Sequence, residues 1–183
     1  MTQALFVSTN ENKARELERA LPGWRLELLE LEVPETGKTY YENAREKALA
    51  GRARDPAAWV LGEDSGIEVD ALAGSPGIHS ARWACKGKHI QKLLAELEGV
   101  ADRRARYRCE LVCISPGGDE FRGSGTLEGA VARERRGTEG FGYDPVFIPH
   151  KEQRTVAELG NAWKAEKSHR ARAARALLDA LGK

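Results

Sequence analysis

Gly62-Glu63-Asp64-Ser65-Gly66 sets two carboxylates and a hydroxyl between glycines, directly after the apolar run Trp59-Val60-Leu61. Read as a tight turn at a strand end, the segment would present oxygen ligands of the kind that hold Mg²⁺. Asp64 could also take a proton from an attacking water. The same composition equally suits a plain turn in which Asp64 and Ser65 bond the local backbone. A second group lies at Asn10-Glu11-Asn12-Lys13, after the strand-like Ala4 to Val7 and before Ala14, Leu17 and Leu21, which recur at helical spacing. With Asn10 as N-cap, Lys13 falls at N3, the position a capping box gives to Glu or Gln. A cation there opposes the helix dipole unless an anion lies nearby. Ser8, Thr9 and the helix start would therefore suit a phosphate, and removing Lys13 should weaken anion binding while leaving unliganded stability unchanged or slightly improved. An ordinary capped helix with a solvated lysine is the alternative.

Other candidates are spread along the chain. Glu35 stands in a loop stiffened by Pro34, and Asn43 and Lys47 share one helical face four residues apart, able to offer an amide and an ammonium to a phosphate chain or simply to water. Phe141-Gly142-Tyr143-Asp144 places two aromatics about a glycine in a loop, where a ring can stack on a flat base; a small hydrophobic cluster with a turn is the other reading. Asp144 precedes Pro145, which favours an extended backbone at Asp144. Lys164, Ser168, His169 and Arg170 gather donors at the opening of the last helix, where they suit an anion or a carbonyl-rich base, although a capping serine with incidental basic neighbours would look the same. Four scattered histidines lack zinc-ligand spacing. Gly123-Ser124-Gly125 lacks the spacing of a dinucleotide fingerprint.

The elements that must position these residues alternate. Ala4 to Val7 and Arg25 to Leu29 read as strands around the first helix, and a second helix runs from a Thr39 cap to about Arg54. Trp59 to Leu61 and Ile67 to Val69 read as two short strands on either side of the acidic turn, and a third helix carries Ile90, Leu93, Leu94 and Leu97. Tyr107, Cys109, Leu111 and Cys113 alternate with Arg108, Glu110 and Val112 as a half-exposed strand. Pro116 to Asp119 turns it back into Phe121 to Arg133. An irregular loop spans 134–149, and Ala174, Leu177, Leu178 and Leu181 stripe the C-terminal helix. The class is α/β with a mixed sheet.

At 183 residues the chain suits one domain with a substantial core. Lysine plus arginine number 29 against 28 acidic residues, so bulk charge does not suggest a nucleic-acid-coating protein. No apolar run approaches the roughly 18 residues of a membrane span, and Met1-Thr2-Gln3 leads straight into a strand without a signal sequence. Three cysteines without Cys-x-x-Cys spacing point to reduced thiols in a cytoplasmic protein, with Cys109 and Cys113 as core residues.

Each segment is weak alone, but their order is informative. Ser8-Thr9-Asn10-x-x-Lys13, Glu35-Thr36-Gly37, Glu42-Asn43-Ala44, Glu63-Asp64-Ser65-Gly66, Pro76 to Arg82, Gly140-Phe141-Gly142-Tyr143-Asp144-Pro145 and Ser168-His169-Arg170 closely resemble the inosine/xanthosine triphosphate pyrophosphatase family. The resemblance covers essentially all of residues 1–183. It implies an α/β fold with a long bent mixed β-sheet flanked by helices, two lobes with a central substrate cleft, a homodimer and Mg²⁺. The activity implied is hydrolysis of non-standard purine nucleoside triphosphates (ITP, dITP, XTP) to monophosphate and pyrophosphate. By the same resemblance Ser8, Thr9, Asn10, Glu11, Asn12 and Lys13 surround the triphosphate, and Lys47 faces its phosphates. Glu35 and Asp64 hold the metal, with Asp64 also the proton acceptor. Ser65, Phe141, Gly142, Tyr143, Asp144, Lys164, His169 and Arg170 contact the nucleotide and its base. Glu63 stands where many relatives carry aspartate, and Glu11 brings an anion to the phosphate turn. Two rivals are a septum-formation-type nucleotide pyrophosphatase acting on pyrimidine or modified nucleotides, and a nucleic-acid-binding module built on Arg103, Arg104, Arg106 and Arg108.

Overall fold

The computed structural model describes residues 1–182, so Lys183, the end of the expected single domain, lies outside the described residues. The elements are β1 (Thr2–Val7), α1 (Glu11–Ala20), β2 (Trp24–Leu29), α2 (Tyr40–Arg54), β3 (Trp59–Val69), α3 (His89–Glu96), β4 (Arg104–Ile114), β5 (Glu120–Val131), β6 (Phe147–Pro149), α4 (Val156–Lys167) and α5 (His169–Ala180). The strands form a six-stranded mixed sheet in the order β2-β1-β3-β4-β5-β6, flanked by helices, which is the α/β class the sequence implied. β1 pairs in parallel with β2 and β3, and β5 pairs antiparallel with β6. Parallel neighbours need crossover connections, and α1 and α2 supply them.

The chain divides into two compact units, the first made of Met1–Asp64, Cys109–Gly125 and the stretch from His169, the second of Ser65–Arg108 and Thr126–Ser168. In the first, Phe6, Leu17, Leu21, Leu61, Leu111 and Leu177 are fully buried together with Cys109 and Cys113, neither of which forms a disulfide. In the second, Ile67, Val69, Leu93, Val146 and Phe147 form the centre of a separate core. No helix among the described residues is long and apolar enough to cross a membrane.

Small residues decide how closely the helices of the first unit approach their strands. A Cβ on Gly62 of β3 would lie 2.1 Å from the Ala44 carbonyl oxygen and 2.7 Å from the Ala48 nitrogen of α2. Gly51 likewise would clash with Val7 and Val60. This contact lowers Asn43 and Lys47 of α2 onto β3. The glycines of Gly123-Ser124-Gly125 do the same for α5, since Cβ atoms there would meet the Ala173 and His169 carbonyls at 2.2 and 2.0 Å. The obstacle at Gly62 is helix backbone, so α2 must shift to admit a methyl group. Gly62→Ala should lower unfolding free energy by about 3 kcal/mol, the upper end for overpacking. Urea denaturation checks this, and a neutral substitution would show that the helix moves at no cost.

The structure departs from the sequence reading in several places. Trp59–Val69 is one continuous strand, not two strands around a turn. Glycine within a strand marks close approach of another backbone as readily as it marks a turn, and Gly62 is such a case. β4 alternates as expected only from Arg104 to Arg108: from Cys109 to Ile114 every residue is buried, including Glu110, whose carboxylate accepts from Arg122 Nε and Ser124 Oγ at 2.7 Å each. The segment 134–149 contains β6, and α4 precedes the last helix. Asp144 opens a 3₁₀ turn over Asp144–Val146 rather than lying extended, with its Pro145 at a position near the turn's start where a missing N–H is tolerated.

Candidate active site

The phosphate-like turn forms as the capping argument requires. Asn10 has extended backbone and its side chain accepts from Asn12 N at 3.0 Å, while Ser8 Oγ accepts from Asn10 N at 3.1 Å. Thr9, Glu11 and Asn12 are exposed. Glu11 pairs along the helix with Arg15, so the anion that troubled the turn is engaged on the solvent side. Lys13 has a different partner from the one anticipated. Its Nζ lies 2.7 Å from Oε2 of Glu63, whose side chain has no solvent exposure.

That ion pair reverses the stability expectation for Lys13. The anion that offsets the helix-dipole penalty belongs to the protein itself. Lys13→Ala would leave a buried carboxylate with one of its two cations removed. Breaking one side of a buried pair is costly, and the loss here should be about 2 kcal/mol because Arg170 remains. A melt of the ligand-free protein reads this directly, and an unchanged or raised melting temperature would restore the original expectation.

Asp64 follows Glu63 on β3 and so points to the opposite face. Its Oδ2 accepts from Asn43 Nδ2 at 3.0 Å, and Asn43 is fully buried. The Lys47 ammonium lies 3.8 Å from Asp64 Oδ1 and 2.6 Å from Glu35 Oε1, and it donates to the Glu63 carbonyl at 3.0 Å. The loop carrying Glu35 is pinned by Thr36, whose N and Oγ1 both donate to Glu46, and by Gly37, where a Cβ would lie 2.5 Å from Glu42 Cβ. Burial pushes the Asp64 carboxyl up to about 6, against the opposing pull of Lys47 and Lys13. A carboxylate poised just below neutrality is suited to accepting a proton. Burial alone would lower the Lys47 pKa, but Asp64, Glu63 and Glu35 outweigh it and leave it raised. Burial also opposes ionisation of Glu63, yet the charges of Lys13 and Arg170 hold its carboxyl well below the usual carboxylate range.

Glu35 and Asp64 thus face one cation, the Lys47 ammonium. Among the described residues no cluster of three or more His, Cys, Asp or Glu forms a protein-only metal cage. Two carboxylates completed by substrate phosphates and water is a usual donor set for Mg²⁺, and the hard oxygens here fit that ion.

Also in the first unit, His169 and Arg170 open α5 and both are buried. Arg170 Nε donates to Glu63 Oε1 and Nη1 to Glu16 Oε2, each at 3.0 Å. In the second unit, Asp144 organises the aromatic loop. Its carboxylate accepts from Phe141 N at 2.8 Å, from Tyr107 Oη at 3.2 Å and from Lys164 Nζ at 2.5 Å. Lys164 is 2% exposed, and its ammonium stands 4.6 Å over the Phe141 ring. Tyr143 Oη donates to the Ser80 carbonyl at 3.2 Å, which ties the loop to the Pro76–Arg82 segment. Ser65 is half-buried on β3.

Several roles were not legible from residue types. Asn43 bonds Asp64 rather than being held out for phosphate, and its i,i+4 relation to Lys47 was the available signal. Glu16 and Tyr107 carried none. Glu63 reads from sequence as one of two oxygen donors of an acidic turn, whereas both its oxygens meet cations.

The chain matches the Ham1 family over residues 4–180. It is 42% identical to a protein of Bacillus licheniformis named dITP/XTP pyrophosphatase, covering 98% of this chain and 99% of that one. A protein of the same name from Gloeobacter violaceus is also 42% identical, with 96% and 92% covered. Among solved structures, the Staphylococcus aureus Ham1 protein superposes with a TM-score of 0.86 at 34% identity, covering 99% of this chain and 98% of that one. A Mycobacterium abscessus structure described as a nucleoside-triphosphatase and dITP/XTP pyrophosphatase gives 0.74 at 36% identity, with 98% and 100% covered.

Proposed function

The chain belongs to the Ham1 family, and from that premise we propose that it hydrolyses ITP, dITP and XTP to the monophosphate and pyrophosphate. The observation that carries the chemistry is the grouping of Asp64, Glu35 and Lys47, two carboxylates about one ammonium, with Asp64 held by Asn43. The Ser8 to Lys13 turn receives the triphosphate. Water attacks the α-phosphorus, forming a new P–O bond as the bond to the bridging oxygen breaks. The water proton passes to Asp64, and pyrophosphate departs with its charge facing Lys13 and Lys47. Bound by Glu35 and Asp64, Mg²⁺ would neutralise charge on the phosphates. For the base, the Phe141 ring offers a stacking surface and the Lys164 ammonium a donor.

The homodimer and the cytoplasmic setting implied by the family resemblance belong to this proposal, and cysteines without disulfides among the described residues suit a reducing compartment. The family match disfavours the septum-formation-type and nucleic-acid-binding readings. Product analysis tests the activity: ITP with Mg²⁺ should give IMP and pyrophosphate in equal amounts, and chelation with EDTA should abolish turnover. Release of inorganic phosphate with IDP would exclude it, and full turnover in EDTA would exclude the metal.

A further inference from the structure

Glu63 adjoins the proposed metal ligand Asp64 in sequence, yet its surroundings are those of a different device. Its side chain is wholly buried, with Oε2 2.7 Å from Lys13 Nζ and Oε1 3.0 Å from Arg170 Nε. Cys109 Sγ adds a weak bond to Oε1 at 3.5 Å. Arg170 continues to Glu16 at 3.0 Å, so two acids and two bases link the first two turns of α1 to the start of α5 through β3. A divalent cation at Glu63 would have to displace an ammonium or a guanidinium already in contact. Lys13 is the most exposed member, with 16% of its side chain accessible, and it is the one at the Ser8 to Lys13 turn.

We propose that Glu63 is a positioning residue for the triphosphate: it fixes the Lys13 ammonium at the phosphate turn and acts on substrate through Lys13, not through the metal. A free lysine side chain has rotamer entropy to lose on capturing an anion. Lys13 loses much of that when the protein folds, so less remains to be lost on binding. The arrangement also explains how a cation is tolerated at N3 of α1, since Glu63 replaces the anion the helix start would otherwise want. This inference rests on the reading that the turn receives the triphosphate.

A double-mutant cycle tests it. The probe is the α,β-methylene analogue of ITP, which cannot be cleaved at the reacting bridge, bound in the presence of Mg²⁺ and measured by calorimetry. Glu63→Gln should weaken binding by about tenfold, within the range for directly coupled groups. In a Lys13→Met background the same substitution should cause no further loss. Glu63→Asp keeps the charge but withdraws it by one methylene, so it should give a smaller loss that also vanishes with Lys13→Met. It serves in place of Glu63→Gln if that variant does not fold. An equal loss in both backgrounds would overturn the proposal in favour of direct contact with metal or substrate. A lowered melting temperature with unchanged affinity would overturn it in favour of a purely structural pair. Failure of the wild-type protein to bind the analogue would remove the parent reading as well, a result distinct from either of these.

Discussion

Asp64→Asn should lower turnover of ITP by at least about two orders of magnitude while the protein stays folded, in keeping with the loss of a general base. The substitution keeps the shape that Asn43 Nδ2 bonds, but removes the charge facing Lys47 and the ability to take a proton. Stability should move the other way. Burial raises the folded carboxyl from 3.8 to about 6. Between those values the native state holds more proton than the unfolded chain, so this group's contribution to stability falls as pH rises through that window and is fully lost above it. A neutral amide escapes the penalty. In metal-free buffer at neutral or higher pH, Asp64→Asn should therefore melt at or above the wild-type temperature. Turnover within tenfold of wild type would remove Asp64 from its role, and a sharp fall in melting temperature would show that its charge is structural.

The second large effect concerns the base. Hypoxanthine and xanthine present a carbonyl at position 6, where adenine presents an amino donor. The second unit offers a cation, Lys164, that is nearly inaccessible to water and held by Asp144 above the Phe141 ring. A 6-carbonyl meets a donor there, whereas an amino group meets another donor and loses its water. An unsatisfied buried polar group costs about 1–3 kcal/mol, and two such mismatches correspond to a discrimination of at least about 30-fold. ITP, dITP and XTP should therefore exceed ATP in kcat/KM by that factor. Guanine shares the 6-carbonyl, so the gap between ITP and GTP should be smaller. Asp144→Asn should narrow the ITP to ATP ratio, because Lys164 and the Phe141 amide lose the charge that holds both. Comparable kcat/KM on ATP and ITP would sink this reading of the pocket.

Local patterns carried much of the fold into the sequence. Asn10 and Thr39 sit at the N-caps where side-chain type placed them, and β1, β2, α2 and β5 fall within a few residues of the hydrophobic periodicity. The failures share one cause, tertiary compensation that no local pattern records. Glu63 and Glu110 looked like exposed or turn residues because an isolated buried carboxylate is prohibitive. Both are buried because cations arrive from distant elements, Lys13 and Arg170 for one and Arg122 for the other. Gly62 read as a turn residue for the same reason: the helix backbone packed against it comes from α2. The site was legible as residue types, but which carboxylate faces which cation was not. Asp64 and Glu63 are neighbours whose opposite directions follow only once the segment is known to be a strand.

The position of attack is the centre of the mechanism, and isotope tracing reads it directly. ITP hydrolysed in ¹⁸O-enriched water with Mg²⁺ should place one labelled oxygen in the IMP and none in the pyrophosphate. Label in the pyrophosphate, or its appearance in inorganic phosphate with IDP as the other product, would contradict hydrolysis at the α-phosphorus.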